Sequence, residues 1–167
     1  MALDKNVDHA LDPRSVSAGR LTGTILVGAL SLLGLFGVVA AAIGAPWSPV
    51  EKLLLLAAWI GLTIGGAVLA FAWPQARYRR IRYRVDDHGL TIRRGIFWRS
   101  ETFVPRTRVQ HTDVVQGPLQ RLFELATLIV HTAGTQDASV GLSGLSYGTA
   151  LPIRDFLIGG DEEEGGV

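Results

Sequence analysis

Two uncharged apolar stretches, residues 21–44 and 53–76, constrain this chain more than any other feature. A helix rises 1.5 Å per residue, so a stretch of that length spans about 36 Å, enough for a hydrocarbon core of about 30 Å. They predict two transmembrane helices over about 21–44 and 53–74. The first starts only after 20 residues and is longer than a cleaved signal segment, so it reads as an anchor that stays. Immediately after the second stretch, Arg77-Tyr78-Arg79-Arg80-Ile81-Arg82-Tyr83-Arg84 changes the composition completely.

Charge sets the expected topology. Lys5, Arg14 and Arg20 precede the first span, and Arg77, Arg79, Arg80, Arg82 and Arg84 follow the second. The connection between the spans carries only Lys52, beside Glu51. The positive-inside rule then puts both termini in the cytoplasm and the connection outside. Pro46 and Pro49 fit a tight turn, and Trp47 and Trp73 fall where interfacial aromatics are expected. Gly61-Leu62-Thr63-Ile64-Gly65 is a small-xxx-small pattern, matched by Gly37 and Ala41, so Gly61 and Gly65 are expected to pack the two helices together, with a homodimer face as the alternative. Neither span holds a charge, which argues against an ion path or proton relay through the hairpin.

The net charge of +1 conceals segregation. Residues 75–160 hold 12 Arg against 7 acidic residues, whereas Asp161-Glu162-Glu163-Glu164 between glycine pairs reads as a disordered acidic tail over 159–167. With no cysteine there is no disulfide, thiol nucleophile or thiolate metal site. The organisation is therefore a cytoplasmic segment 1–20, a hairpin 21–76, a domain 77–158 and the tail.

From Arg77 the periodicity becomes two. Ile81, Tyr83 and Val85 alternate with Arg80, Arg82 and Arg84, as in a half-buried strand. Asp86-Asp87-His88-Gly89 reads as a turn. Further strands are predicted over 90–94, 96–104, 107–115, 125–132 and 138–142, and a helix over 146–158 that Pro152 shortens. Six short strands and a helix suggest a small barrel or sandwich capped at one end.

Several segments together carry a family resemblance. These are Leu11-Asp12-Pro13-Arg14, then Val104-Pro105-Arg106-Thr107-Arg108-Val109-Gln110, then Gln116-Gly117-Pro118-Leu119-Gln120-Arg121-Leu122-Phe123, and finally Thr132-Ala133-Gly134. Over nearly its whole length the chain resembles the YdbS-like bacterial membrane proteins with a pleckstrin-homology-like (PH) domain. The resemblance implies a membrane α-helical hairpin plus a mainly-β PH-like domain, a strongly bent seven-stranded antiparallel sheet or barrel with a C-terminal helix. It implies no catalytic residue. Glu124 stands where the family often has glycine, and Pro152 interrupts the capping helix.

Three chemistries compete for the remaining residues. Gly144-Leu145-Ser146-Tyr147-Gly148 satisfies the nucleophile-elbow string, but no histidine follows it, and Ser146 reads better as a helix N-cap. His111 and Asp113 share a strand face and His131 lies on another strand, but their spacing matches no recognised metal motif, so they read as hydrogen-bonded strand residues and no metal is expected. The basic residues Arg77, Arg79, Arg80, Arg82, Arg84, Arg106 and Arg108 are the candidate lipid- or partner-binding set, which Arg93, Arg94 and Arg99 extend. The expected function is a non-enzymatic interaction or assembly module at the cytoplasmic face, without cofactor and without nucleic acid. Its expected partner is a protein, such as another PH-domain membrane protein. The alternatives are anionic lipid-headgroup binding through the arginines and service as an accessory subunit of a transport or export complex.

Overall fold

The computed structural model describes residues 6–96, 98–133 and 139–159. The chain divides into two compact units, one formed by residues 19–75 and the other by the segments on either side of it.

The first unit is the hairpin. Helix α1 covers Arg14–Gly44 and α2 covers Pro49–Arg80, each long and apolar enough to cross a membrane. Helix α2 starts on a capping box. Ser48 Oγ accepts from the Glu51 amide at 3.4 Å, and the Glu51 carboxylate accepts from the Ser48 amide at 2.7 Å. The helices touch through small residues. A β-carbon at Gly23 would lie 2.9 Å from Ala70 Cβ, one at Gly19 2.9 Å from Pro74 Cβ, and one at Gly34 3.1 Å from the Trp59 ring. Ser31 and Thr63 share a hydroxyl hydrogen bond of 3.1 Å, and Trp59 Nε1 donates to the Ser31 carbonyl at 3.2 Å. These pairs satisfy polar groups that lipid could not. Gly61, Gly65 and Gly37 correct the sequence expectation, because a β-carbon at any of them would meet nothing within 4 Å. The helices face each other along a different stripe, so Gly61 and Gly65 do not pack the hairpin.

Among the described residues, the second unit contains seven strands. Strands β1 (His9–Ala10), β2 (Arg82–Asp86), β3 (Gly89–Arg94) and β4 (Ser100–Pro105) form one antiparallel sheet in that order. Strands β5 (Val109–Val115), β6 (Leu125–Thr132) and β7 (Ser139–Ser146) form a second. A single 3-10 turn, Arg106–Arg108, joins the two sheets. A short helix α3 (Pro118–Leu122) precedes β6, and α4 (Tyr147–Ile158) closes the fold. Val85, Leu90, Ala126, Leu128, Val130, Ala150 and Ile153 are all fully buried in one core. Tyr83 and Val85 point inward while Arg82 and Arg84 point outward, as the alternation predicts.

Several boundaries differ from the expected ones, and both membrane helices start earlier, at Arg14 and Pro49. Helix α2 continues to Arg80, so Arg77, Arg79 and Arg80 belong to its last turn and the strand begins at Arg82. The predicted strands 96–104 and 107–115 start later, at Ser100 and Val109, because a loop and the 3-10 turn occupy their first residues. Strand β7 runs to Ser146 rather than ending at 142, paired with β6 along its length. Helix α4 continues through Pro152 for 12 residues, with Ser146 Oγ capping it by accepting from the Thr149 amide at 3.1 Å. The acidic tail beyond Gly159 lies outside the described residues, as does most of the turn between β6 and β7.

The seventh strand comes from before the hairpin. His9 pairs with Tyr83 and Ala10 with Arg82, the Asn6 amide donates to the Val85 carbonyl, and Leu11 joins the core at 6% exposure. Asp12 donates its amide to the Gly144 carbonyl at 2.9 Å and caps α1 by accepting from the Arg14 amide. Residues 6–18 are therefore part of the domain rather than a separate leader, and the membrane hairpin is an insertion between β1 and β2.

Two glycines are fixed by close approach. A β-carbon at Gly89 would run into the Val104 carbonyl, and Gly144 adopts φ 92° beneath Ser15 and Leu11. Glu124 occupies the left-handed region at φ 55°, a conformation that costs any residue with a β-carbon and that glycine adopts freely. Its carboxylate compensates by pairing with Arg14 at 2.6 Å.

Candidate functional site

The loop between β3 and β4 and the end of α2 bring four arginines together. Arg80, Arg93, Arg94 and Arg99, with Gly95, Ser100 and one acid, Glu101, line an open cleft of about 820 Å³. Gly95, at φ 152°, lets the chain turn where a β-carbon would meet the Trp98 carbonyl. The Arg80 guanidinium donates to the Ile96 carbonyl and so ties the loop to the last turn of α2. Beyond it Trp98 is 90% exposed.

The arginines are not equivalent. Arg93 sits between two acids, donating to Glu101 and to Asp8 at 3.1 Å each, and Glu101 first, then Asp8, raise its pKa. Arg94 is half-buried and donates to the Gly141 carbonyl, a neutral partner. Burial, and then the positive charge of Arg77, hold its pKa below the ordinary guanidinium value. A cation in that condition gains from any anion placed beside it. Arg99 is exposed and also lines the cleft.

The structure brings together only part of the predicted set. Arg80 lines the cleft and Arg77 acts on Arg94. Arg79 is exposed on the last turn of α2 and Arg108 on the 3-10 turn, neither in the cleft. Arg82 donates to the Tyr78 and Ile81 carbonyls at 3.3 and 2.8 Å, closing the C-terminus of α2. Arg84 pairs with Asp8 at 2.8 Å, which neutralises it. Arg106 lays its guanidinium 4.1 Å from the Phe156 ring, holding the 3-10 turn against α4. Arg93, Arg94 and Arg99, read from sequence only as an extension, are the centre of the site. Their strand-and-loop placement beside Gly95 was the available signal.

Residues 24–159 match the family described as the bacterial PH domain. The chain belongs to that family. Relatives agree. The chain is 34% identical over 149 residues to the transmembrane protein YdbS of Bacillus subtilis (strain 168), covering 89% of this chain and 89% of that protein. It is 30% identical over 92 residues to the transmembrane protein YdbT of the same organism, covering 52% of this chain and 19% of that protein. No solved structure matches. This bacterial PH protein is thus a membrane protein, and the family match begins downstream of β1, at residue 24.

Proposed function

We propose that this bacterial PH protein is a non-enzymatic docking module, tethered by its hairpin at the cytoplasmic face of the membrane, whose arginine cleft takes an anionic group at the membrane surface. The observation that carries this reading is Arg94. It is half-buried, under-neutralised and flanked by Arg77, with Arg80 and Arg99 in the same small region. Each basic residue near an anionic leaflet contributes on the order of 1 kcal/mol, and an exposed tryptophan favours the headgroup level. Trp98 sits on the same loop. Tethering by two helices confines the domain to the membrane plane and raises its effective concentration toward partners there. The charge asymmetry around the spans supports cytoplasmic termini.

A photo-reactive amino acid at Trp98 in the full chain, activated in cells, tests the reading. Adducts with anionic lipid that disappear in the Arg94→Glu, Arg99→Glu double variant are expected. Capture that is independent of Arg94, or no capture at all, sinks it. The absence of native cysteine makes topology directly testable. Ser48→Cys should react with an impermeant thiol reagent in intact cells, and Arg108→Cys should react only after permeabilisation.

Assembly with a second membrane protein is the other reading, and one observation favours it. The Gly61 and Gly65 face of α2 meets nothing within the hairpin, so it offers another helix a close approach.

A further inference from the structure

Strands β5 and β6 create a convergence of donor atoms that linear spacing hides. Their register sets His111 directly opposite His131, and the two-residue period places Asp113 on the same face as His111. A register shift between Val109 and His111 bends β5 next to this pair. The imidazoles stack at 4.1 Å between centroids, tilted by only 13°. His131 Nε2 lies 3.3 Å and His111 Nε2 4.0 Å from the same oxygen, Asp113 Oδ2. One donor from each of the three residues falls within 4.8 Å of the others.

We propose that His111, Asp113 and His131 form a binding site for a divalent transition-metal ion, with zinc the best chemical match. Tetrahedral zinc with bonds of about 2.0–2.2 Å holds neighbouring donors roughly 3.3 Å apart. The Asp113–His131 edge already has that length, and a turn of the His111 side chain has to shorten both its 4.0 Å edge to Asp113 and its edge to His131, which lies within 4.8 Å. Two imidazole nitrogens and one carboxylate suit zinc, nickel or copper, whereas magnesium and calcium take oxygen donors. His111 and Asp113 are exposed and His131 is partly so, leaving a route for the ion and a fourth position for water. The ligands sit on two hydrogen-bonded strands, so the backbone separation is set before the ion arrives. None of the three lines the arginine cleft, so the site is independent of the docking reading.

The test uses the full chain in detergent, purified without a polyhistidine tag and equilibrated against zinc chloride. One zinc per chain is expected, retained in excess magnesium, with a rise in thermal midpoint. His111→Gln and His131→Gln should each weaken binding by at least about tenfold, and Asp113→Asn should also weaken it. All three should keep the parent's metal-free thermal midpoint, which separates lost ligation from lost fold. His88→Gln should bind as the parent does. Cobalt(II) should give the intense visible absorption of a tetrahedral centre. Absence of saturable binding overturns the site, as does binding that survives in His131→Gln or is displaced by magnesium.

Discussion

Leu11 tests the most unexpected feature of the fold, the completion of the domain by residues from the other side of the membrane hairpin. Its side chain is 6% exposed and packs in the same core as Val85, Leu90 and Leu145. Truncating a buried leucine to alanine costs about 2–5 kcal/mol. Leu11 is anchored by a strand of only two residues, so the site can partly collapse and a value near 2.5 kcal/mol is appropriate. Each 1.4 kcal/mol is a factor of ten, so the folded-to-unfolded ratio should fall by roughly 60-fold. A domain of about 100 residues has about 5–15 kcal/mol in total, so Leu11→Ala should still fold. The assay is hydrogen exchange by mass spectrometry on the chain in nanodiscs, following core strands β3 and β6. Their slowest amides report global opening and should exchange roughly 60 times faster in Leu11→Ala. Val7→Ala, at a residue 48% exposed, is the control and should change stability by under about 0.5 kcal/mol. If Leu11→Ala is indistinguishable from that control, the segment before the hairpin is not part of the core and the insertion topology is wrong.

Further outcomes follow from single contacts. Glu124→Gly removes left-handed strain of about 1 kcal/mol and an exposed ion pair to Arg14 worth about 0–1 kcal/mol, so the thermal midpoint should stay level or rise slightly. A clear fall would mean the Arg14 pair matters more than the backbone. Gly23→Leu should disrupt the hairpin, because even a β-carbon there overlaps Ala70, whereas Gly65→Leu should leave intramolecular helix crosslinking unchanged. Ser146→Ala should cost about 1 kcal/mol in denaturant melts through loss of the α4 cap. Burial raises the Tyr83 pKa, so the unfolded state loses its proton first as pH rises. The contribution is complete below about pH 10 and is lost above it, and Tyr83→Phe should flatten that alkaline decline in melts taken across the range.

Much of the architecture could be read from the residues because it depends on local pattern. The apolar lengths of the two spans set the hairpin. The alternation through Tyr83 and Val85, the β-branched run of β6 and the cap at Ser146 each depend on neighbours within one element. The Ser48–Glu51 capping box is equally local, a serine followed three residues later by a glutamate. The PH fold itself came through combined motifs, since periodicity alone yields strands without an order.

What the sequence could not determine is who meets whom. Arg82, Arg84, Arg93 and Arg94 have the same side chain and similar neighbours in the chain. One caps a helix, two neutralise Asp8 and one is half-buried in a cleft, because those fates depend on partners as far away as residues 8 and 141. His111 and His131 stand 20 positions apart until strand register stacks them, and register belongs to the sheet rather than to either strand. The first strand is the extreme case. Two residues, His9 and Ala10, have no strand signal of their own and become one only because β2 presents an unpaired edge and the core has a vacancy that Leu11 fills. Periodicity belongs to an element and can be read along the chain. Pairing and neutralisation belong to the packed molecule, and only folding decides them.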